Sequence, residues 1–247
     1  MTVFSRRVLV ARVRIAASGT IAFMLLSVAC SSTTRGQDVH ILIDTSGSIP
    51  AELRVRILHS ALVDFDDWIG QADPGDRFTI WWLAPTGSAF PSAHRVWTMP
   101  HLKAPAHRSR KVVATQFRDQ VHEALKRLPD GVSTTPLLES LFYIGATQAS
   151  SSSGSWRISV FSDLHQESAR WSQLRPTRGT PTPTVAKTML ELCPLVDVPP
   201  SEVQVYAWPG LIGSQVNVEQ FTRDRSAFSH FLDLWSPRAR HDFVELQ

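Results

Sequence analysis

Cysteine is almost missing from this chain: Cys30 and Cys193 are the only two among 247 residues. That excludes a cysteine-rich metal cluster. Long apolar runs are equally scarce. The one sustained stretch, Ile15 to Ala29, is about fifteen residues, short of the roughly twenty that span a bilayer. Recognisable catalytic motifs are also lacking. The sequence has no P-loop, no Ser-His-Asp order, no Cys-His pair and no paired-carboxylate motif in a supporting context, so no catalytic candidate has two independent supports. An aspartic-protease reading of Ile43-Asp-Thr45 fails as well, because Ser46 stands where that motif needs glycine and no second copy supplies a carboxylate dyad.

Arg6, Arg7, Arg12 and Arg14 precede the apolar stretch, which ends in Leu25-Leu-Ser-Val-Ala-Cys30. A basic start, a short apolar middle and small residues before a cleavage point predict an export signal over 1–29. Ser27-Val-Ala29-Cys30 resembles the lipobox of bacterial lipoproteins, although Ser27 stands where those proteins usually carry leucine. The resemblance implies a lipidated Cys30 and a membrane-anchored product facing the periplasm or the exterior. Cleavage without lipidation would instead give a periplasmic or secreted chain. Ser5-Arg6-Arg7-Val8-Leu9 also resembles a twin-arginine signal. Loss of residues 1–29 removes four arginines and no acid, so the formal charge falls from +3 to −1. The mature chain therefore has no basic excess with which to bind nucleic acid. With Cys30 acylated, Cys193 has no disulfide partner, and it is expected to pack as a small apolar residue.

Residues 30–37 form a short polar tether; the 247-residue chain is 43% apolar, enough to bury a core, and 38–247 read as one domain. Asp38-Val-His-Ile-Leu-Ile reads as a buried strand. Leu53, Ile57, Leu58, Ala61, Leu62, Phe65, Trp68 and Ile69 repeat at three and four, predicting a helix after Pro50. Asp73-Pro-Gly-Asp76 is a turn, and Arg77 to Leu83 a second strand. From Pro85 to Lys111 a long exposed loop is expected, with Arg95 to Met99 as a short edge strand. A helix is predicted over Val112 to Leu128, and another begins at Pro136 with Thr135 as its cap. Trp156 to Asp163 is a strand after a Ser/Gly linker over Ser150 to Ser155. Ala169 to Pro183 reads as loop, Val185 to Leu192 as a short helix, Glu202 to Trp208 as a strand, Val218 to Trp235 as a helix, and Phe243 to Leu246 as a terminal strand. Alternating strands and helices predict an α/β fold: a doubly wound, mainly parallel sheet with helices on both faces.

Asp44-Thr-Ser46-Gly-Ser48 follows the first strand directly. One carboxylate and two hydroxyls at alternate positions suit a hard divalent cation, which selects oxygen. In an open α/β sheet, ligands gather beyond the carboxyl ends of the strands, where strand order reverses. If the strands ending at Asp44 and Asp163 are neighbours there, then Asp44, Ser46, Ser48, Thr135 and Asp163 can surround one ion. Asp44-Thr-Ser46-Gly-Ser48, Thr135-Pro-Leu-Leu-Glu-Ser-Leu141 and Ser162-Asp163 resemble the three parts of the metal-ion-dependent adhesion site of von Willebrand factor A (VWA) domains, in the right order across residues 38–235. Ser133-Thr134 stands where that family has two glycines.

The resemblance implies that Ser46, Ser48 and Thr135 contribute hydroxyls, with Asp44 and Asp163 acting largely through bound water. The ion would be Mg²⁺, or another hard cation such as Mn²⁺ or Ca²⁺, and a partner protein's Glu or Asp would complete its shell. Hydroxyl ligands leave positive charge for an outside carboxylate, so the expectation is a non-catalytic binding module. The enzyme alternative is a metallophosphoesterase, because Ser162-Asp163-Leu-His165 resembles the opening motif of those enzymes. They also need later Gly-Asp and Gly-Asn-His segments, and residues 166–247 contain neither. His165 is then expected at the rim. A third reading keeps the VWA fold with a purely structural site.

Overall fold

The computed structural model describes residues 36–44, 51–73, 75–83, 92–98, 112, 115, 116, 119, 134–148, 154–174, 176–177, 179–209, 211–212, 215–216 and 218–246. Six strands form one sheet in the order β3-β2-β1-β4-β5-β8. These are β1 (Gln37–Ile43), β2 (Arg77–Trp82), β3 (Ser92–Thr98), β4 (Ser155–Ser162), β5 (Glu202–Ala207) and β8 (Arg240–Glu245). All pairings are parallel except β2 with β3. A short antiparallel pair, β6 (Leu211–Ile212) and β7 (Gln215–Val216), stands apart from the sheet.

β1 shows why the sheet takes two layers of helix. Its residues from Asp38 to Ile43 are all buried, as in a strand covered on both faces. Alternate side chains go to opposite sides. Val39, Ile41 and Ile43 join Ile57, Ala61, Trp68 and Ile69 of α1 (Ala51–Gln71). Leu42 joins the larger cluster on the other face, built by α2 (Leu137–Gln148), α4 (Thr182–Leu192) and α5 (Val218–Trp235). There Trp156, Phe228, Phe231 and Trp235 are at most 1% exposed. Each such side chain contributes about 1.5–3 kcal/mol relative to exposure. The expected doubly wound α/β sheet is thus present.

Several local expectations shift. The edge strand starts at Ser92 rather than Arg95. β4 begins at Ser155, inside the expected linker, and β8 starts at Arg240, three residues before the expected position. The loop expected over Ala169 to Pro183 contains a helix, α3 (Ala169–Leu174), and α4 starts at Thr182, three residues early. Ser168 makes α3 possible: its hydroxyl accepts the Trp171 N–H at 3.0 Å while Trp171 is buried. Of the helix expected over Val112 to Leu128, positions 112, 115, 116 and 119 are helical, and its other positions lie outside the described residues. The leader, Cys30, most of the tether, Ser46 and Ser48 lie outside them too.

Cys193 is fully buried, and burial pushes its thiol well above the ordinary range. Trp81, Trp82, Phe161 and Trp235 are core residues. Among the described residues no helix is long and apolar enough to cross a membrane.

Candidate metal centre

β1 leads to β2 on one side of the sheet, whereas β4 leads to β5 on the other. Strand order therefore reverses between β1 and β4, which pair directly with Ile43 opposite Phe161. Asp44 continues that ladder by one rung. Its N–H donates to the Phe161 carbonyl at 2.8 Å, while the Ile43 carbonyl accepts the Leu83 N–H at 3.2 Å from β2's end. Asp44 is thereby fixed at the carboxyl edge of the sheet, with only 1% of its surface exposed.

A short chain of hydrogen bonds orients its carboxylate. Ser162 Oγ donates to Asp44 Oδ2 at 2.8 Å and accepts the Leu164 N–H at 3.0 Å. Asp163, 4% exposed, accepts the His165 N–H on Oδ1 at 2.9 Å. Between them Leu164 adopts φ +62°, left-handed backbone that a non-glycine residue seldom takes, at a cost of about 1–2 kcal/mol. Its side chain is 1% exposed, so packing holds the turn in place.

Thr135 reaches the same loop from a different part of the chain. Its N–H donates to the Glu167 carbonyl at 2.8 Å, and its carbonyl accepts the Glu167 N–H at 2.9 Å. Thr135 is buried and Thr134 is only half-buried. The start of α2 is held across the gap: Gln166 Oε1 accepts the Leu138 N–H at 2.9 Å, and Gln166 Nε2 donates to Glu139 Oε2 at 2.8 Å. Ser168 Oγ donates to the other Glu139 oxygen. Gln166 therefore supplies a capping acceptor here, a part that the sequence suggested for Thr135. Glu139 carries a readable signal, an acid in the first turn of a helix. Gln166 and Ser168 have none, because their partners are remote in sequence.

The structure thus brings the Asp44, Thr135 and Asp163 segments together at the switch point, while Ser46 and Ser48 fall outside the described residues. Burying carboxylates is costly without compensating donors or a cation. Two carboxylates and a threonine, all at most 4% exposed, form an oxygen-only set that fits a hard divalent ion. Among the described residues no group of three or more His, Cys, Asp and Glu gathers to hold a metal. His165 lies beside the site with its ring turned elsewhere: Nδ1 is 3.8 Å from Asp224 Oδ2, and its side chain is 38% exposed.

No protein-family model matches the sequence, and no curated protein matches it. Solved structures do. A D319A mutant of the PilB minor pilin from Streptococcus sanguinis aligns with TM-score 0.51 and 13% identity over 88% of this chain and 58% of that one. A von Willebrand factor type A protein from Catenulispora acidiphila aligns at 0.46 and 13%, over 87% and 39%. The vWF domain of the type V pili tip protein Mfa5 from Porphyromonas gingivalis aligns at 0.46 and 11%, over 87% and 91%. The chain spans less than two thirds of the first two structures. The likeness is one of fold, a doubly wound α/β sheet, and it agrees with the strand order above.

Proposed function

We propose that this chain is an exported, lipid-anchored adhesion or assembly module that binds an acidic group of a partner protein through a divalent cation. The observation that carries the reading is the junction of three segments at the switch point: Asp44 and Ser162 joined across β1 and β4, and Thr135 paired to Glu167 four residues beyond Asp163. Asp44, Ser46, Ser48, Thr135 and Asp163 would hold the ion, Mg²⁺ by preference because hydroxyls and water make a small shell. The bound cation supplies positive charge for an external carboxylate. Ser162 orients Asp44, and the Glu167 bridge holds Thr135 in place, so these two are positioned before a partner arrives.

Two pilus proteins among the similar folds, the PilB minor pilin and the Mfa5 tip protein, are in keeping with a surface module. His165 Nδ1 faces Asp224 at 3.8 Å, a rim position in keeping with binding. A calorimetric titration with Mg²⁺ tests the reading. The wild-type chain is expected to bind the ion and gain thermal stability by mass action, and Asp44→Ala with Ser46→Ala to lose both effects. Equal affinity in the double variant would sink the proposal.

A further inference from the structure

Beside the Asp163 loop lies a cavity of about 430 Å³. Its floor is apolar: Leu164, Trp171, Met189 and Ala227 are buried and Val185 half-buried. Its rim is polar, with His165, Arg223 and Asp224 having side chains 38%, 42% and 23% exposed. The walls come from the 164–166 loop, α3, the turn before α4, and the facing sides of α4 and α5. That turn is braced from within. Thr180 donates to the Thr177 carbonyl through both its N–H and its hydroxyl, at 3.0 and 2.8 Å, and Gly179 takes φ +93°. A cavity of this size exceeds ordinary packing voids and falls in the range of ligand sites, with an apolar lining and a few polar groups at its edge.

Its position relates it to the carboxylates. Asp163 and Leu164 are consecutive, and the left-handed turn at Leu164 sends its side chain into the cavity floor. The His165 N–H holds Asp163 Oδ1 while its ring stands on the rim. Gln166 lines the cavity and binds the Leu138 N–H three residues from Thr135. One four-residue loop is therefore a wall of both places. An extended peptide advances about 3.3 Å per residue, so positions one to three apart span roughly 3–10 Å. Rim charge is balanced, so the cation and not the rim selects the acidic group, and Arg223 also donates to Gln220 Oε1 at 2.9 Å. Asp224 is engaged by Gln220 at 2.7 Å and lies 3.8 Å from His165, while Arg223 stays largely exposed, 3.8 Å from an exposed Glu219.

We propose that the cavity receives an apolar side chain of the partner, one to three residues from the carboxylate that meets the cation, so that the recognised element is an acidic peptide with an adjacent aliphatic or aromatic residue. This rests on the adhesion-site reading above.

A library of synthetic peptides with one fixed Glu and randomised flanks, selected on the full chain with Mg²⁺ or with EDTA, tests it. Selected peptides are expected to carry Leu, Ile, Met, Val or Phe within three positions of the Glu, to need Mg²⁺, and to weaken about tenfold when that residue becomes Ala. Val185→Trp and Thr182→Trp, at two half-buried positions lining the cavity, should each erase the apolar preference while Mg²⁺ affinity by calorimetry is kept; the second guards against a misfolded first. Mg²⁺-dependent Glu peptides without an apolar preference, or ones bound unchanged by both Trp variants, overturn the pocket and leave the adhesion site standing. Apolar peptides bound equally with EDTA, or with Gln in place of Glu, overturn the adhesion-site reading and show that the cavity takes an apolar ligand alone. No enrichment in either condition overturns both.

Discussion

The Ser162 hydroxyl donates to Asp44 Oδ2 across 2.8 Å, linking residues 118 apart in sequence at the ends of β4 and β1. It also accepts the Leu164 N–H, so one oxygen fixes both the Asp44 carboxylate and the turn after Asp163. Ser162→Ala removes the outer support of a cation ligand and leaves every ligand in the chain. Partners of that kind are typically worth 10–100-fold in metal affinity. Calorimetry should show Mg²⁺ affinity reduced about tenfold, with stability lowered by about 1–2 kcal/mol for the lost buried bond. An affinity equal to wild type would show that Asp44 is oriented by other contacts.

Gln166 gives a second, separable handle. Its side chain caps α2 and touches Glu139, but it is not among the proposed ligands. Gln166→Ala leaves the Leu138 N–H without that acceptor and should cost about 1 kcal/mol in urea denaturation. Gln166→Glu keeps an acceptor for Leu138 but sets a carboxylate against Glu139, so it should be no more stable than the Ala variant. Recovery of full stability in Gln166→Glu would mean that the link to Glu139 carries no weight.

How each feature is encoded decides whether the sequence alone reveals it. β1 is readable because a strand buried on both faces is a continuous apolar run, and α5 because Phe221, Phe228, Phe231, Leu232 and Trp235 hold a helical period over about four turns. Strand–helix alternation puts Asp44 and Asp163 at strand ends, whereas the adjacency of those two strands, on which their meeting depends, is visible only in the sheet. α3 was missed because six residues with one buried side chain, Trp171, give no period to detect. Gln166 was missed for a different reason: its meaning lies in a contact with a helix 28 residues away, which no local pattern encodes.

His40 makes the stability of the fold depend on pH. It lies in the middle of β1, 3% exposed, and its Nδ1 accepts the Trp81 Nε1–H at 3.0 Å. Protonation would have to occur at that same nitrogen. Burial lowers its pKa from 6.5 to about 4, against the opposing charge of Asp38. The folded chain thus keeps the ring neutral down to about pH 4, while the unfolded chain takes up a proton near 6.5. Stability is complete above pH 6.5 and is lost as pH falls toward 4, by about 3 kcal/mol at most. Asp64, whose carboxyl burial raises, acts in the opposite sense at the acid end. Denaturant midpoints at pH 7, 6 and 5 should fall in wild type and fall much less in His40→Gln, which retains an acceptor for Trp81. Parallel slopes would assign the acid sensitivity to other groups.

Leu164 separates backbone strain from packing. Leu164→Ala removes a buried side chain, an exchange that typically costs 2–5 kcal/mol, and keeps a Cβ at φ +62°. Leu164→Gly removes the same side chain and the strain with it, but loosens the unfolded chain. The Gly variant should therefore be about 0.5–1 kcal/mol more stable than the Ala variant, although both are weaker than wild type. Thermal unfolding of the three proteins decides it, and a Gly variant less stable than Ala would place no strain at this turn.

The two cysteines allow the anchor to be tested by counting thiols. Cys193 is fully buried and its thiol is held far from ionisation, so it should resist an aromatic disulfide reagent until the chain unfolds. Cys30 is the proposed lipid attachment point. If it is acylated, chain purified from membranes gives no reactive thiol when native and one when denatured, with an intact mass beginning at residue 30 and increased by its acyl groups. An export signal cleaved at the same bond without acylation would leave Cys30 exposed and give one fast thiol in the native state and two after denaturation. That second outcome would withdraw the membrane anchor while leaving the cation site untouched, because the tether contributes none of its proposed ligands.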